Sequence, residues 1–173
     1  MDGPEPEKKW PLQHFGRCFR ACEEGDNRLV QRLVREWNEA QEADADALNE
    51  DLEIQGAVKR PSLLEARHPT THETVLHAAA RSGKTAALVR FLLQCGADPS
   101  ANDRWHVSAL WFACASGRFG NVTVLASKAS SAELRRPQGP KGLTPMQAAQ
   151  AHRHLEVADW LKAEMLRRLK NKR

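Results

Sequence analysis

The sequence predicts an all-α solenoid of helix–turn–helix units joined by short turn or hairpin connections. Three observations carry that prediction. Thr74, Ser108 and Thr144 each open an apolar, alanine-rich stretch, and they lie 34 and 36 residues apart. A period of that size marks stacked repeats. Within 73–98 (ETVLHAAARSGKTAALVRFLLQCGAD) Thr74 is a good N-cap, its hydroxyl placed to accept from an early helical N–H. Gly83 permits a reversal with positive φ, Leu88, Leu92 and Cys95 share one face of a second helix, and Gly96 sits where a left-handed glycine ends it. Finally, one helix pair of this kind cannot bury its apolar face alone, so its neighbours must be further pairs.

The residues Thr74, Leu76, His77, Ala79, Ala80, Gly83 and Gly96-Ala97-Asp98 resemble an ankyrin repeat, whose signature is T-P-L-H-x-A followed by paired helices. Val75 replaces the family's proline, and one extra residue precedes Leu92-Leu93. The resemblance implies that His77 is a structural side chain bonding backbone across repeats.

Taken in order, residues 1–13 read as a flexible, proline-bearing terminus, and 14–170 as one ankyrin-repeat domain. The first repeat, near 14–37, places Ala21, Cys22, Gly25, Leu29, Val30, Leu33 and Val34 on the later motif positions. Gly16, Arg17, Cys18 and Phe19 stand where Thr-Pro-Leu-His would, as suits a capping repeat. Gly25 and Gly83 are 58 residues apart, against about 33 for one repeat, so about 25 residues are inserted. This acidic insertion, near 38–72, has a first half that extends the outer helix past Ala40. Its second half, with Pro61 and Pro69, reads as a solvated loop. The second repeat spans 73–106. The third, 107–142, matches at Ser108, Leu110, Ala113, Cys114 and Gly117, with Trp111 in the histidine position and a weak outer helix containing Gly120. The fourth, 143–170, has Thr144-Pro145, Gln147 for histidine and Arg153 for the inter-helix glycine. Trp160 and its polar neighbours read as a C-terminal cap, and 171–173 as a basic end.

The formal net charge is only +4, but unevenly placed: residues 36–58 hold eight acids and no base, and residues 167–173 five bases and no acid. No apolar run is long enough to cross a bilayer and no signal-like leader is present. The four cysteines form no CxxC pair, which suggests reduced thiols and an intracellular, cytoplasmic setting, with the nucleus as alternative. Cys95 and Cys114 read as buried apolar groups rather than nucleophiles. His68, His72 and His77 lack a further ligand to complete a zinc set. No phosphate loop and no catalytic constellation is present, so neither enzyme activity nor a cofactor or metal is expected.

Ankyrin-like arrays recognise proteins through a concave groove and turn tips, and the resemblance implies a non-enzymatic adaptor or regulatory module with a protein partner. The register then names Arg81 and Ser82, with Thr71 and Glu73, in the second repeat. The third contributes Arg104, Trp105, Val107, Phe112, Ala115 and Ser116. The fourth offers Lys141, Leu143 and His152, with Pro140 and Ala151, and the first Glu23 and Glu24. Trp105 stands out because Trp and Arg dominate interface hot spots; packing on a neighbouring tip is its alternative. Trp111 is expected between repeats and Phe112 in the groove. The tail LRRLKNKR reads as a solvated helix end. A targeting or phosphate-binding role leaves a nucleic-acid-associated factor as the alternative function. A monomer without a membrane or nucleic-acid partner is expected.

Overall fold

The computed structural model describes residues 10–49, 62–82 and 86–171. Eight α-helices occur among them: α1 (Trp10–Glu24), α2 (Asn27–Asn49), α3 (Val75–Ser82), α4 (Ala86–Gln94), α5 (Ala109–Ala115), α6 (Phe119–Lys128), α7 (Pro145–Ala151) and α8 (Leu155–Lys170). Odd helices stack on odd ones as an inner layer, and even on even as an outer layer. No strand occurs among the described residues. Single antiparallel backbone pairs, Asn102 with Ser108 and Gln138 with Leu143, mark hairpin tips between repeats.

Small residues set the inner spacing. Ala78–Ala80, Ala113-Cys114 and Ala148-Ala149 are all buried, so successive inner helices approach closely. Leu88, Val89 and Leu92, then Val122 and Leu125, then Val157 and Leu161, form the core of the outer layer. The inter-helix reversals take left-handed backbone at Gly25 (φ 68°), Gly117 (φ 65°) and Arg153 (φ 63°); for the arginine this costs about 1 kcal/mol. At Gly117 an added Cβ would run into the His154 ring, which glycine avoids. Gly83, expected to play this part in the second repeat, lies outside the described residues.

Three expectations need correction. Residues 10–13, read as part of a flexible terminus, open α1, while 1–9 lie outside the described residues. The solvated-loop reading fails at Leu63 and Leu64, which are 2% and 7% exposed and join the core, while Glu65, Arg67, Pro69, Thr70 and His72 are exposed. Cys95 is exposed: α4 ends at Gln94, and Gly96 at φ 95° turns the chain there. As expected, α2 runs well past Ala40, with Trp37 buried among Leu33 and its neighbours; residues 50–61 lie outside the described ones.

Successive repeats are joined by one recurring bond. His77 Nδ1 lies 3.1 Å from the Thr74 N–H and 2.9 Å from its hydroxyl, so this nitrogen accepts. Nε2–H then donates to the Val107 carbonyl of the next repeat at 3.1 Å. The Thr74 hydroxyl, expected to accept from the helix, instead donates to this ring. In the next repeat Trp111 Nε1–H makes the equivalent bond, to the Leu143 carbonyl at 3.1 Å. Indole has no acceptor, so the Ser108 N–H and hydroxyl need another partner. Gln138 supplies it: its Oε1 accepts from both, at 2.8 and 2.9 Å, from a side chain buried on the following hairpin. In the last repeat Gln147 accepts from the Thr144 N–H while Thr144 accepts from Gln147 N–H, a capping box that folds the side chain back.

Gln138→Ala should therefore destabilise the fold by about 1–3 kcal/mol, the usual penalty for orphaned buried donors. In a Trp111→His background the loss should shrink, since imidazole supplies donor and acceptor together; additive losses in urea unfolding would refute the coupling. Burial holds the His77 pKa below its ordinary 6.5, outweighing the Val107 bond and the charges of Asp103 and Glu73. The folded state thus binds fewer protons than the unfolded chain, and stability present above pH 6.5 declines as pH falls below it. Thermal melts from pH 7.5 to 5 should show that decline, and His77→Gln should flatten it.

Candidate functional site

The concave face begins at the first junction. Phe19 occupies the position taken by His77 and Trp111 in later repeats, and a phenyl ring has no N–H to bind the next repeat. It packs against His68 at 5.3 Å and Phe15 at 5.5 Å. An open recess of about 580 Å³ remains beside it, walled by Phe15, Phe19 and His68 and rimmed by Arg20, Glu23 and Arg81. His68 belongs to the hairpin tip: its N–H donates to the Glu73 carbonyl at 2.8 Å, and its Nδ1 accepts from the Thr71 N–H at 3.3 Å. No group of three metal-ligating side chains occurs among the described residues.

Arg81 sits at the centre of the groove, held on three sides. Its guanidinium donates to Glu73 at 3.1 Å and to Glu23 at 2.8 Å, and lies 5.5 Å over the Phe112 ring. Burial disfavours the charge, yet the two carboxylates hold the Arg81 pKa above its usual value. Phe112 also meets His77 and Trp111 edge-on at 5.9 and 5.8 Å. Arg81 and Phe112 thus form a fixed floor spanning three repeats, and Glu73 is buried beneath it. Ser82, Ala115 and Ser116 are half-buried along the same face, with His152 exposed at its far end.

The tips carry the exposed residues. Trp105 is 43% exposed, with the Arg104 guanidinium 5.1 Å from its ring centre. The Arg104 N–H donates to the Thr71 carbonyl at 3.0 Å, and Arg104 Nη1 to that of Thr70 at 3.0 Å. Asp103 Oδ1 accepts from the N–H groups of Trp105 and Val107, each at 2.8 Å. Lys141 and Pro140 are exposed on the next tip. Val107, expected at the interface, is 3% exposed: its backbone joins the hairpin and receives His77, and its side chain faces Gly139. Leu143 is half-buried, with its carbonyl taken by Trp111. Sequence reasoning missed Phe15, Phe19, Arg20 and His68; aligning Phe19 with His77 held the signal.

Two bases of the C-terminal run make structural contacts. Arg168 donates to the carbonyls of Ala126 in α6 and of Ala129, which caps it, at 2.6 and 2.7 Å, and to Glu164 at 2.8 Å. Arg167 meets Glu164 through two bonds at 2.8 Å. Trp160 stacks edge-on with Phe119 at 5.9 Å, but α8 departs from a polar cap, since Leu155, Leu166 and Leu169 are exposed. Cys114 is buried, which pushes its thiol above the ordinary value; partial desolvation does the same for the exposed Cys95, so neither is activated.

A family model described as ankyrin repeats, in 3 copies, matches residues 18–136 and 76–171. A search of curated proteins found no match.

The Glu164 carboxyl is held at about 2, below its ordinary 4.5, by its bonds to Arg167 and Arg168. A depressed carboxylate stabilises the fold above the unfolded value and loses that contribution as pH falls. Glu164→Gln should lower the melting temperature at pH 7 and remove the part of the acid-side decline between pH 4.5 and 2. Parallel melting profiles for the two proteins across that window would refute the assignment.

Proposed function

The chain belongs to the ankyrin-repeat family, and from that membership we propose that it is a non-enzymatic adaptor or regulatory module that grips a protein partner along its concave face and hairpin tips. Arrays of this family generally mediate protein–protein interaction, and rigid repeats present many side chains with little ordering loss on binding. The observation that carries the reading here is Trp105: a large aromatic left 43% exposed on a tip immobilised by Asp103, Arg104 and the Thr70–Thr71 carbonyls. An exposed, pre-positioned Trp flanked by Arg is the composition of an interface hot spot. Arg81 and Phe112 are a floor for that partner rather than independent anchors, because their contacts already lie within the stack.

The alternative of a nucleic-acid factor acting through the basic end gains nothing from the geometry, since Arg167 and Arg168 are engaged with Glu164 and α6. No helix among the described residues is long and apolar enough to cross a membrane. We place the module in the cytoplasm or nucleus as a monomer.

Pull-down from the native cell tests the reading. Trp105→Ala and Ala115→Arg, on the tip and in the groove, should each reduce recovery of the main partner by about 10-fold, the effect of losing a hot spot. Unchanged recovery with both variants would sink it.

A further inference from the structure

Among the described residues, Arg32, Arg81, Arg167 and Arg168 face carboxylates. Arg67, Arg104 and Arg136 donate to neutral oxygens instead. Arg67 Nη1 reaches the Asn102 carbonyl at 2.6 Å and the His72 carbonyl at 3.3 Å. Arg136 Nη2 reaches Asn102 Oδ1 at 2.7 Å, and Arg104 Nη1 the Thr70 carbonyl at 3.0 Å. Asn102 thereby draws arginines from the tips before and after its own onto one edge of the stack.

A hydrogen bond to a neutral oxygen fixes a guanidinium without cancelling its charge. None of the ion pairs formed among the described residues includes Arg67, Arg104 or Arg136. The carboxylates of the same tips form no ion pair with these arginines and are likewise held by neutral donors: Asp103 is buried and accepts from its own tip, Asp98 accepts from Ser100, and Glu133 from the Ser130 N–H. Glu65, two residues from Arg67, is exposed and forms no ion pair with it. Arg135 and Lys141 add exposed charge on the fourth tip, and Trp105 gives the edge an apolar surface.

We propose that this hairpin-tip edge binds an acidic, extended protein segment, with carboxylates meeting Arg67, Arg104 and Arg136 and an apolar side chain lying on Trp105. The proposal rests on the recognition reading above and names the chemistry of the partner. Fixed guanidiniums match carboxylates in two-pronged geometry and lose little freedom on pairing. A nucleic acid fits less well. Single-strand binders combine a basic groove with successive aromatic platforms, and this edge has one exposed Trp.

The test uses the full chain with three fluorescein-labelled probes: a peptide of four Glu-Glu-Leu repeats, its Gln-Gln-Leu counterpart, and twelve-nucleotide polyuridine. The acidic peptide should bind tightest, weakening about 10-fold between 50 and 300 mM NaCl as screening rises. The combined change Arg67→Gln, Arg104→Gln and Arg136→Gln should weaken it about 10-fold more, and Trp105→Ala about 5-fold. Circular dichroism melts check folding; should the triple variant unfold, Arg135→Gln with Lys141→Gln carries the test, with about 3-fold expected. Equal binding of the glutamine peptide, tighter binding of polyuridine, or indifference to the charge changes would overturn the proposal. In the native pull-down, a partner lost with Ala115→Arg but kept by the triple variant would overturn the acidic edge alone. A partner kept by Ala115→Arg and Trp105→Ala as well as by the triple variant would overturn the recognition reading itself.

Discussion

One N–H held against a carbonyl at the head of the next repeat sets the register of the stack. His77 reaches Val107 and Trp111 reaches Leu143, both at 3.1 Å, each bond linking an inner helix to the hairpin that follows. In a solenoid every repeat touches only its neighbours, so such a bond has no distant contact to replace it. Other side chains reach back across the same junctions. Asn121 donates to the last carbonyls of α3, Ala79 and Ala80, at 3.2 and 3.0 Å, and Arg168 does so for α6. The third and fourth repeats thus complete helix-end hydrogen bonding in the repeat before them.

The positions where the recurring bond is altered explain the departures from regularity. Phe19 cannot donate, so the first junction is closed by aromatic contact with His68 and leaves a recess. Trp111 can donate but not accept, so Gln138 is drawn into the next hairpin to serve Ser108. Gln147 closes a capping box on its own repeat. One position, read through the hydrogen-bonding capacity of four side chains, accounts for the opening, the repair and the inner-layer end of the stack.

That position was visible in the sequence, as was the helix-pair period, because both follow from local spacing and the donor inventory of single residues. The exposed Trp105 was legible for the same reason: no apolar period claimed it. What was not legible depended on residues distant in the chain. Leu63 and Leu64 lie in a proline-flanked insertion without periodicity, and only the packed stack shows that they enter the core. Val107 shares the tip with Trp105, but hairpin pairing turns it inward. Arg81 looked like a free groove cation until Glu23, 58 residues earlier, was found 2.8 Å away.

The arginines carry the same lesson into function. Counting bases points to the C-terminal run as the charged surface, yet two of its members are held by Glu164 and the end of α6. On the tips, by contrast, neutral oxygens hold Arg67, Arg104 and Arg136 still without an ion pair. This edge meets the recess of the first junction at residues 67–71. His68 walls the recess while Arg67, next to it, turns to Asn102, and the Thr70 and Thr71 carbonyls anchor Arg104. An aromatic cavity and a fixed cationic edge joined by one short, hydrogen-bonded segment form a continuous surface. Its apolar and charged parts are positioned before any partner arrives, and that preorganisation favours slow dissociation over mere attraction.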